Sequence, residues 1–320
     1  MKAFIFEEYG SPDVLQLREI PAPVPRDDAV LVRVHAVSIN DWDLGGLDGS
    51  SFVNRLIFGL RKPKKQILGS DIAGRVEAAG RNVRRFRAGD EVFGDLSGEW
   101  GGFAEYVCAK ETTLALKSPA MTFEQAAAIP QAAMLAVQAL RDVAQLRTGQ
   151  KLLINGAGGG VGTFAIQLAK LYGAEVTAVD SEAKFDVMRS LGATDVIDYT
   201  REDFTRSGKR YDVILDVKTS RSMFDLSRAL VRGGTYVTVG GSMPRLFQTL
   251  LWMPWLRLVA NKRFRLVALK TNKDLEYMKE LFEAGTIVPV IDGPYPFAEL
   301  PEAFACFAEG RHKGKVVIRV

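Results

Sequence analysis

Apolar residues along the chain follow two different patterns, and the change lies near residue 120. Up to about residue 118, short apolar segments such as residues 30–34 and 73–77 are separated by Gly, Pro and Asp. This pattern is typical of β-strands joined by turns. We therefore predict a β-rich domain over the first part of the chain.

Beyond residue 120 the pattern indicates helices alternating with strands. Thr122 and Gln125 form an N-capping pattern, which predicts a helix start in an Ala-rich segment that continues to Leu140. The alternation that follows predicts a parallel, doubly wound sheet and an α/β fold. Strands are predicted at residues 151–155, 176–180, 196–198, 213–216, 236–239 and 264–269, and helices at residues 162–172, 184–191 and 223–230. We expect a helix at residues 274–284 and a strand at residues 315–320, with this tail returning to the first domain.

Composition narrows the class of protein. A chain of 320 residues is long for one core and suits two domains. The net charge of only +4 argues against nucleic acid as a partner. Cys108 and Cys306 are the only cysteines, which favours a reducing compartment, and we see no signal peptide, so we expect a cytoplasmic protein.

Two segments stand out by charge or hydropathy. The basic run of residues 61–65 is either a solvated loop or a contact for an anionic partner. Residues 243–260 are strongly apolar but are interrupted by Arg245, Gln248 and Arg257, and they fall short of the ~20 apolar residues that span a membrane. We expect no transmembrane segment there. The segment is instead predicted to be either a lid that covers a substrate pocket or a surface that binds a partner.

A glycine-rich loop carries the clearest chemical signal. The apolar run of residues 152–154 leads into the loop, and a helix pattern follows it. Glycines allow a sharp turn and close approach to a pyrophosphate, whose charge the amino end of the helix would bind. The alternative is a tight turn that binds nothing. The candidate cofactor residues here are Gly156, Gly158, Gly159, Gly160, Val161 and Gly162.

The end of the next predicted strand carries two conflicting signals about the cofactor. Asp180 lies about 20 residues after the loop, where an acidic side chain binds a ribose 2′-hydroxyl and favours NAD. Ser181 and Lys184 follow at once, and a hydroxyl with an ammonium suits a 2′-phosphate. The alternative for Lys184 is that it is a solvated residue of the helix and does not bind the cofactor.

At this point the sequence resembles the medium-chain dehydrogenase/reductase superfamily, in its zinc-independent, quinone-oxidoreductase-like branch. The resemblance covers essentially the whole chain. It rests on the glycine loop and on residues 35–43, 68–74, 88–94, 101–106 and 314–318. The resemblance implies a GroES-like catalytic domain at residues 1–120 and 271–320, a Rossmann dinucleotide-binding domain at residues 121–270, and a cleft between them for nicotinamide and substrate.

The resemblance also implies roles for particular residues. In zinc-dependent relatives a Cys stands at Asn40 and a His-Glu pair at Ser70 and Asp71, so we predict no metal here. NADPH-using relatives hold the 2′-phosphate with a Lys and a Tyr that match Lys184 and Tyr199, which favours NADP(H) over NAD(H). Further cofactor contacts are expected from Val239, Gly240, Gly241 and Lys315, although the glycines after Val239 also suit a strand-ending turn.

The predicted activity is hydride transfer from NADPH to a quinone or an α,β-unsaturated carbonyl. The cofactor supplies the hydride, so the protein has to align the acceptor and stabilise a developing oxyanion. Asn40 offers an amide N–H, and Asp43 orients the loop or relays a proton; the alternative is that both cap the turn after the strand. Conjugated acceptors need less help from a Lewis acid than an isolated aldehyde does.

Several alternatives stay open from the sequence. The alternatives to the predicted activity are a zinc-free alcohol dehydrogenase, an enoyl-thioester reductase, and a regulatory protein that binds NADPH without turnover. An apolar lid over a hydrophobic acceptor is expected from residues 245–264, with residues 52–60 facing it. The resemblance also implies a homodimer, formed through an edge strand at residues 264–269 or 236–239.

Overall fold

The computed structural model describes residues 1–219, 221–240 and 261–320, and these form two compact units. Unit 1 contains Met1–Gln131, Thr271–Gly285 and Pro289–Val320. Unit 2 contains Ala132–Lys270 and Thr286–Val288.

Unit 1 is built mainly from β-strands. Its strands are β1 (Lys2–Ile5), β2 (Gln16–Glu19), β3 (Ala29–Ser38), β4 (Asp71–Ala79), β5 (Glu91–Asp95), β6 (Tyr106–Lys110), β7 (Ala115–Leu116), β14 (Ile291–Pro296) and β15 (Lys315–Arg319). Its α-helices are α1 (Asp41–Asp48), α2 (Phe52–Phe58), α3 (Phe123–Ala127), α8 (Leu275–Glu283) and α9 (Leu300–Ala308). Short 3-10 helices lie at Pro12–Val14, Glu111–Thr113 and Phe297–Glu299.

The long strand β3 organises the larger sheet of this unit. The strand order is β14-β15-β3-β4-β5-β7, β6 also pairs with β3, and β1 pairs with β2 in a small separate sheet. The C-terminal strand β15 lies antiparallel to β3, with Val317 opposite Ser38. Helix α3 packs against β3, β4 and β15, so it belongs to unit 1 although the sequence placed the domain boundary at residue 120, before this helix.

Unit 2 alternates strands and helices. Its strands are β8 (Lys151–Asn155), β9 (Glu175–Asp180), β10 (Asp195–Asp198), β11 (Tyr211–Asp216), β12 (Leu230–Thr238) and β13 (Arg263–Leu266). Its α-helices are α5 (Gly160–Leu171), α6 (Phe185–Leu191) and α7 (Met223–Ala229), and α4 (Pro130–Val137) leads into the unit and continues as a π-helix at Gln138–Ala144. A 3-10 turn at Glu182–Lys184 precedes α6.

The strands of unit 2 form a parallel sheet in the order β10-β9-β8-β11-β12-β13. Its central strands are apolar because both faces of such a sheet are covered, and the side chains of Leu152, Leu153 and Ile154 are fully buried. The predicted α/β class is confirmed. The Ala-rich segment predicted as one helix is broken instead, because Pro130 begins a new helix after α3.

The structure also bears on the predicted edge strand at residues 236–239 and on the predicted lid at residues 245–264. Residues 236–239 are not at an edge, as one dimer hypothesis required, because β12 pairs with β11 on one side and β13 on the other. The lid predicted at residues 245–264, Gly241 and the apolar stretch at 243–260 lie outside the described residues, apart from the few positions after residue 260. Among the helices that are described, none has the length and apolar character needed to cross a membrane.

Candidate active site

The glycine loop joins the end of β8 to the start of α5 in unit 2. Gly156 has a φ of +85°, a conformation that favours glycine, and it turns the chain sharply after Asn155. The N–H groups of Gly156 and Ala157 both donate to the carbonyl of Val179, at 2.9 and 3.1 Å. The loop is therefore tied to the end of β9, the strand that carries Asp180.

The loop has no room for a side chain at Gly162. A Cβ there would lie 2.3 Å from the carbonyl oxygen of Gly156 and 2.5 Å from the Cα of Ala157. A Cβ at Gly158 would lie 2.5 Å from the Cδ of Lys184. Glycine at these positions lets the loop fold back on the first turn of α5.

The first turn of α5 is oriented to bind an anion. Gly159 is the N-cap and the helix begins at Gly160. The N–H groups of Gly160, Val161 and Gly162 have no acceptor within the helix, since the first residues of any α-helix lack one. These groups and the helix dipole attract a phosphate, so the predicted loop residues come together in an arrangement that fits a pyrophosphate.

Asp180 is held by three neighbours. Its Oδ2 accepts the N–H of Gly158 at 2.9 Å, and its Oδ1 accepts the N–H of Ser181 at 2.9 Å. The ammonium of Lys184 lies 3.4 Å from the same Oδ1, and both side chains are almost fully buried. The carboxylate therefore supports the glycine loop, and its charge is balanced locally by Lys184.

Tyr199 lies beside this pair at the same edge of the sheet. Its N–H donates to the carbonyl of Asp180 at 3.4 Å, and Asp198 is opposite Asp180 in the pairing of β10 with β9. The side chain of Tyr199 is 51% exposed. Lys184 and the backbone of Tyr199 therefore lie close to Asp180, while their contact with a 2′-phosphate stays a prediction.

A buried polar network that the sequence analysis missed lies at the carboxyl ends of β8, β11 and β12. Asp216 accepts hydrogen bonds from the amide of Asn155 at 2.8 Å, the N–H of Thr219 at 2.8 Å and the hydroxyl of Tyr236 at 2.9 Å. Burial raises the pKa of Asp216. The signal was a polar residue at the end of each apolar strand, which in a parallel sheet predicts a shared edge.

This network continues to the predicted nicotinamide segment. The hydroxyls of Thr219 and Thr238 lie 3.0 Å apart, and each donates to the carbonyl of Gly240 at 2.6 Å. The N–H of Val239 bonds to the carbonyl of Asp216 at 3.4 Å. Val239 and Gly240 are therefore positioned by the ends of β11 and β12, while Gly241 is outside the described residues.

The catalytic candidates of unit 1 lie in a second buried cluster, at the end of β3. Asn40 follows that strand, and its side-chain amide donates to the hydroxyl of Ser70 at 3.1 Å. The Lys315 ammonium donates to the Asn40 amide oxygen at 2.5 Å. Both ends of the amide are thus fixed, which defines which side is oxygen and which is nitrogen.

Lys315, predicted to contact the cofactor, lies in the buried cluster around Asn40. Its ammonium contacts the carbonyl of Ile39 at 3.1 Å, the amide oxygen of Asn40 and Oδ2 of Asp71 at 3.3 Å. An ammonium has three hydrogens, so these acceptors use all of them. Lys315 is a positioning residue for Asn40 and a counter-ion for Asp71.

Asp71 is fully buried beside this lysine. Burial raises the pKa of its carboxyl to about 6, although the Lys315 ammonium acts to lower it and the nearby Asp95 to raise it. The carboxylate also accepts the backbone N–H of Gln131 at 3.2 Å and the hydroxyl of Ser38 at 3.4 Å. Asp71 therefore ties β4 to the start of α4.

Asp43 orients the chain around Asn40. Its Oδ2 accepts the N–H of Asn40 at 2.9 Å and its Oδ1 accepts the N–H of Gly69 at 3.0 Å. Burial raises the pKa of Asp43 to about 7, against the opposing effect of these hydrogen bonds. Asn40 is the N-cap of α1 and Asp43 is the third residue of that helix, so the bond from the Asn40 N–H is the capping contact that the sequence left open as an alternative. The same contacts orient the loop, and none of them is a proton relay.

Comparison with known proteins gives the chain's family. Residues 26–120 match the family described as an alcohol dehydrogenase GroES-like domain, and residues 191–318 match the one described as a zinc-binding dehydrogenase. The chain is 34% identical to 2-methylene-furan-3-one reductase of Solanum lycopersicum, over 99% of this chain and 79% of that protein. The chain belongs to the medium-chain dehydrogenase/reductase superfamily.

Further matches lie in the quinone-oxidoreductase-like branch of this superfamily. The chain is 32% identical to the chloroplastic NADPH-dependent alkenal/one oxidoreductase of Arabidopsis thaliana, over 99% of this chain and 79% of that protein. The solved structure of the quinone oxidoreductase from Coxiella burnetii has a TM-score of 0.87 at 30% identity, covering 100% of this chain and 99% of that one. The predicted family is confirmed, and the chain is an oxidoreductase.

One of the two matching families is described as zinc-binding, but the residues at the implied metal positions of this chain do not fit a zinc ion. Zinc in proteins is bound by thiolate, imidazole or carboxylate ligands. Asn40 presents an amide whose oxygen already accepts an ammonium hydrogen, Ser70 presents a hydroxyl, and the Asp71 carboxylate is paired with Lys315. In this member of the superfamily a lysine provides the positive charge of the cluster.

Proposed function

We propose that this protein is an NADP(H)-dependent reductase of quinones or α,β-unsaturated carbonyls that works without zinc. The observation that carries the proposal is the pair of buried arrangements in the two units. In unit 2 a glycine loop and the amino end of α5 fit a pyrophosphate. In unit 1 an amide is held between Lys315 and Ser70 with one N–H group still to donate.

The preference for NADP(H) is supported by the neutralised Asp180. A bare carboxylate at this position would repel a 2′-phosphate, but the Lys184 ammonium lies 3.4 Å away and two backbone N–H groups also satisfy it. Lys184 and the exposed Tyr199 hydroxyl would hold the 2′-phosphate. The name of the Arabidopsis relative, an NADPH-dependent enzyme, agrees with this assignment.

Asn40 is proposed to bind the acceptor's carbonyl oxygen. When bound, the nicotinamide supplies a hydride, and the product of a conjugated acceptor carries negative charge on oxygen until a proton arrives from solvent. A hydrogen bond from Lys315 to the amide oxygen polarises the amide and strengthens its remaining N–H as a donor. Asp43 fixes the backbone of Asn40, so the donor is oriented before the acceptor binds.

The test is a titration of the purified full-length protein with NADPH and NADH, followed by oxidation of the tighter-binding one with a quinone and with an enone. We expect tighter NADPH binding and turnover with both acceptor types. Turnover only with alcohols or with acyl-thioesters would replace the proposed substrate class. Tight NADPH binding without turnover on any of these would indicate a regulatory protein.

We also propose a homodimer formed through β13. This strand pairs with β12 along one side, and within the described residues its other side has no strand beside it. A second copy could extend the sheet there. Light scattering tests the proposal: a mass of twice 35.2 kDa supports it, and the mass of one chain contradicts it.

A cytoplasmic location is proposed from cysteine usage. Cys108 and Cys306 are unpaired and half-buried, as expected for a protein that works in a reducing compartment. Fractionation of cells that produce the full chain tests this proposal. Recovery of the protein in a secreted fraction would contradict it.

A further inference from the structure

One face of α2 carries large apolar side chains that are exposed to solvent. Phe58, at the end of the helix, is fully buried and its ring centroid lies 4.6 Å from that of Trp100. Phe52 and Leu56 are four residues apart, so they share a face of the helix, and they are 69% and 57% exposed. Ile57 and Leu60 are also exposed. The helix is anchored through Phe58, while Phe52, Leu56 and Ile57 are exposed to solvent.

A basic segment follows this helix directly. Four exposed cations lie in this segment: Arg61, Lys62, Lys64 and Lys65. Within the part of the chain that the structure describes, none of them forms an ion pair with a carboxylate. The sequence has no Asp or Glu between Asp48 and Asp71. Lys65 donates to the backbone carbonyl of Glu99 at 3.3 Å, but the Glu99 carboxylate is paired with Lys110. Arg75 and Arg81 elsewhere in unit 1 differ, because they are paired with Glu91 and Asp27.

The turn between the helix and the basic segment is fixed in place. Gly59 has a φ of +131°, and its carbonyl accepts the hydroxyl of Tyr9 at 2.5 Å. The N–H of Lys64 donates to the carbonyl of Phe58 at 2.6 Å, which folds the basic segment against the end of α2. The exposed apolar residues and the exposed cations are therefore held next to each other within residues 52–65, and we call them the apolar-basic surface: Phe52, Leu56, Ile57, Leu60, Arg61, Lys62, Lys64 and Lys65.

We propose that the apolar-basic surface docks on a bilayer containing anionic phospholipids. Large apolar side chains beside lysines and arginines are the combination by which proteins bind at the membrane interface without spanning it. The cations would lie against lipid phosphates, and Phe52 and Leu56 would enter the boundary between headgroups and acyl chains. A purely acidic protein partner would leave the apolar side chains unsatisfied, and a purely apolar partner would leave the four charges unpaired.

The experiment is co-sedimentation of the purified full-length protein with vesicles of phosphatidylcholine alone and with vesicles that contain one third phosphatidylglycerol. We expect binding only to the anionic vesicles and weaker binding at high salt. Each basic residue near such a surface contributes about fivefold in affinity, so Lys62→Gln/Lys64→Gln/Lys65→Gln should weaken binding about 100-fold. Phe52→Gln/Leu56→Gln should weaken it at least about tenfold, since both lose apolar burial.

Matched variants separate this surface from general effects. Arg26→Gln/Arg33→Gln/Arg84→Gln removes three exposed cations elsewhere in unit 1 that, within the described residues, are likewise not ion-paired, and Leu17→Gln/Val24→Gln removes two exposed apolar residues. Both control variants should bind like the original protein. Circular dichroism melts establish that every variant is folded.

Three results would overturn the proposal. One is equal binding to both kinds of vesicle, or binding that the surface and control variants change alike. Another is light scattering that shows Phe52→Gln/Leu56→Gln converting a dimer to a monomer, because a second copy would then cover the surface. The third is a raised KM for bulky acceptors with unchanged vesicle binding, which would make α2 part of a substrate lid.

Discussion

At the scale of single residues, Lys184 is the one proposed to set the affinity of the cofactor site for a 2′-phosphate. Its ammonium neutralises Asp180, so its loss removes an attractive charge and exposes a repulsive one. Hydrogen bonds to charged groups are worth about 1.5–3 kcal/mol, so Lys184→Ala should raise the Kd for NADPH about 10–100-fold while that for NADH stays nearly constant. Fluorescence titration measures both. The exposed Arg189→Ala on α6 is the matched control, and an equal loss for both cofactors would contradict the assignment.

Lys315 can be tested as a positioning residue in the same way. Removing one partner of a buried ion pair leaves an uncompensated charge, so Lys315→Met should destabilise the protein by about 3–5 kcal/mol. Lys315→Met/Asp71→Asn should recover much of this loss, and the exposed Lys313→Met should have little effect. Chemical unfolding measures each. A variant with unchanged stability but a weakened Kd for NADPH would restore the original cofactor role.

The raised pKa of the buried Asp43 carboxyl predicts how the stability of the folded protein changes with pH. Its pKa in the folded protein, about 7, lies above its ordinary value of 3.8, so the folded state binds the proton more tightly. The stability that this contributes is present below about pH 4 and is lost as the pH rises through about 7. The advantage of the original protein over Asp43→Asn should therefore shrink by about 2–4 kcal/mol from about pH 4 to about pH 8. Unfolding at several pH values checks this, and a constant difference would contradict it.

At the scale of elements, the turn from β8 into α5 depends on Gly162. Gly162→Ala would place a Cβ 2.3 Å from a backbone oxygen, so the loop itself has to move. We expect at least about a tenfold higher Kd for both NADPH and NADH and a loss of about 1–3 kcal/mol in stability. Gly208→Ala is the control because a Cβ at Gly208 would have no atom within 4 Å. The only cost expected there is the backbone strain of an alanine at a φ of +79°, about 1–2 kcal/mol. Unchanged cofactor binding in Gly162→Ala would remove the loop from the proposed site.

The strands and the glycine turn could be predicted because their signals are local. Buried parallel strands such as β8 and β11 are apolar runs, and the order of strand, glycines and helix is visible in consecutive residues. The role of Lys315 could not be predicted in this way, because its partners Asn40 and Asp71 are far from it in sequence and meet only through the pairing of β15 with β3 and β3 with β4. The network around Asp216 was different, because a polar residue at the end of each apolar strand was a local signal that the sequence analysis did not use.

At the scale of the whole molecule, the lysine-centred cluster leads us to predict that activity needs no metal. A zinc ion would have to compete with the Lys315 ammonium for Asp71 and would find an amide and a hydroxyl at the other two positions. Neither is among the usual zinc ligands, and a second positive charge beside the ammonium is unfavourable. Dialysis against a chelator should therefore leave both the thermal midpoint and the rate of NADPH oxidation unchanged, and added zinc should restore nothing. Loss of activity on dialysis and its return with zinc would show that residues outside this cluster bind a catalytic metal.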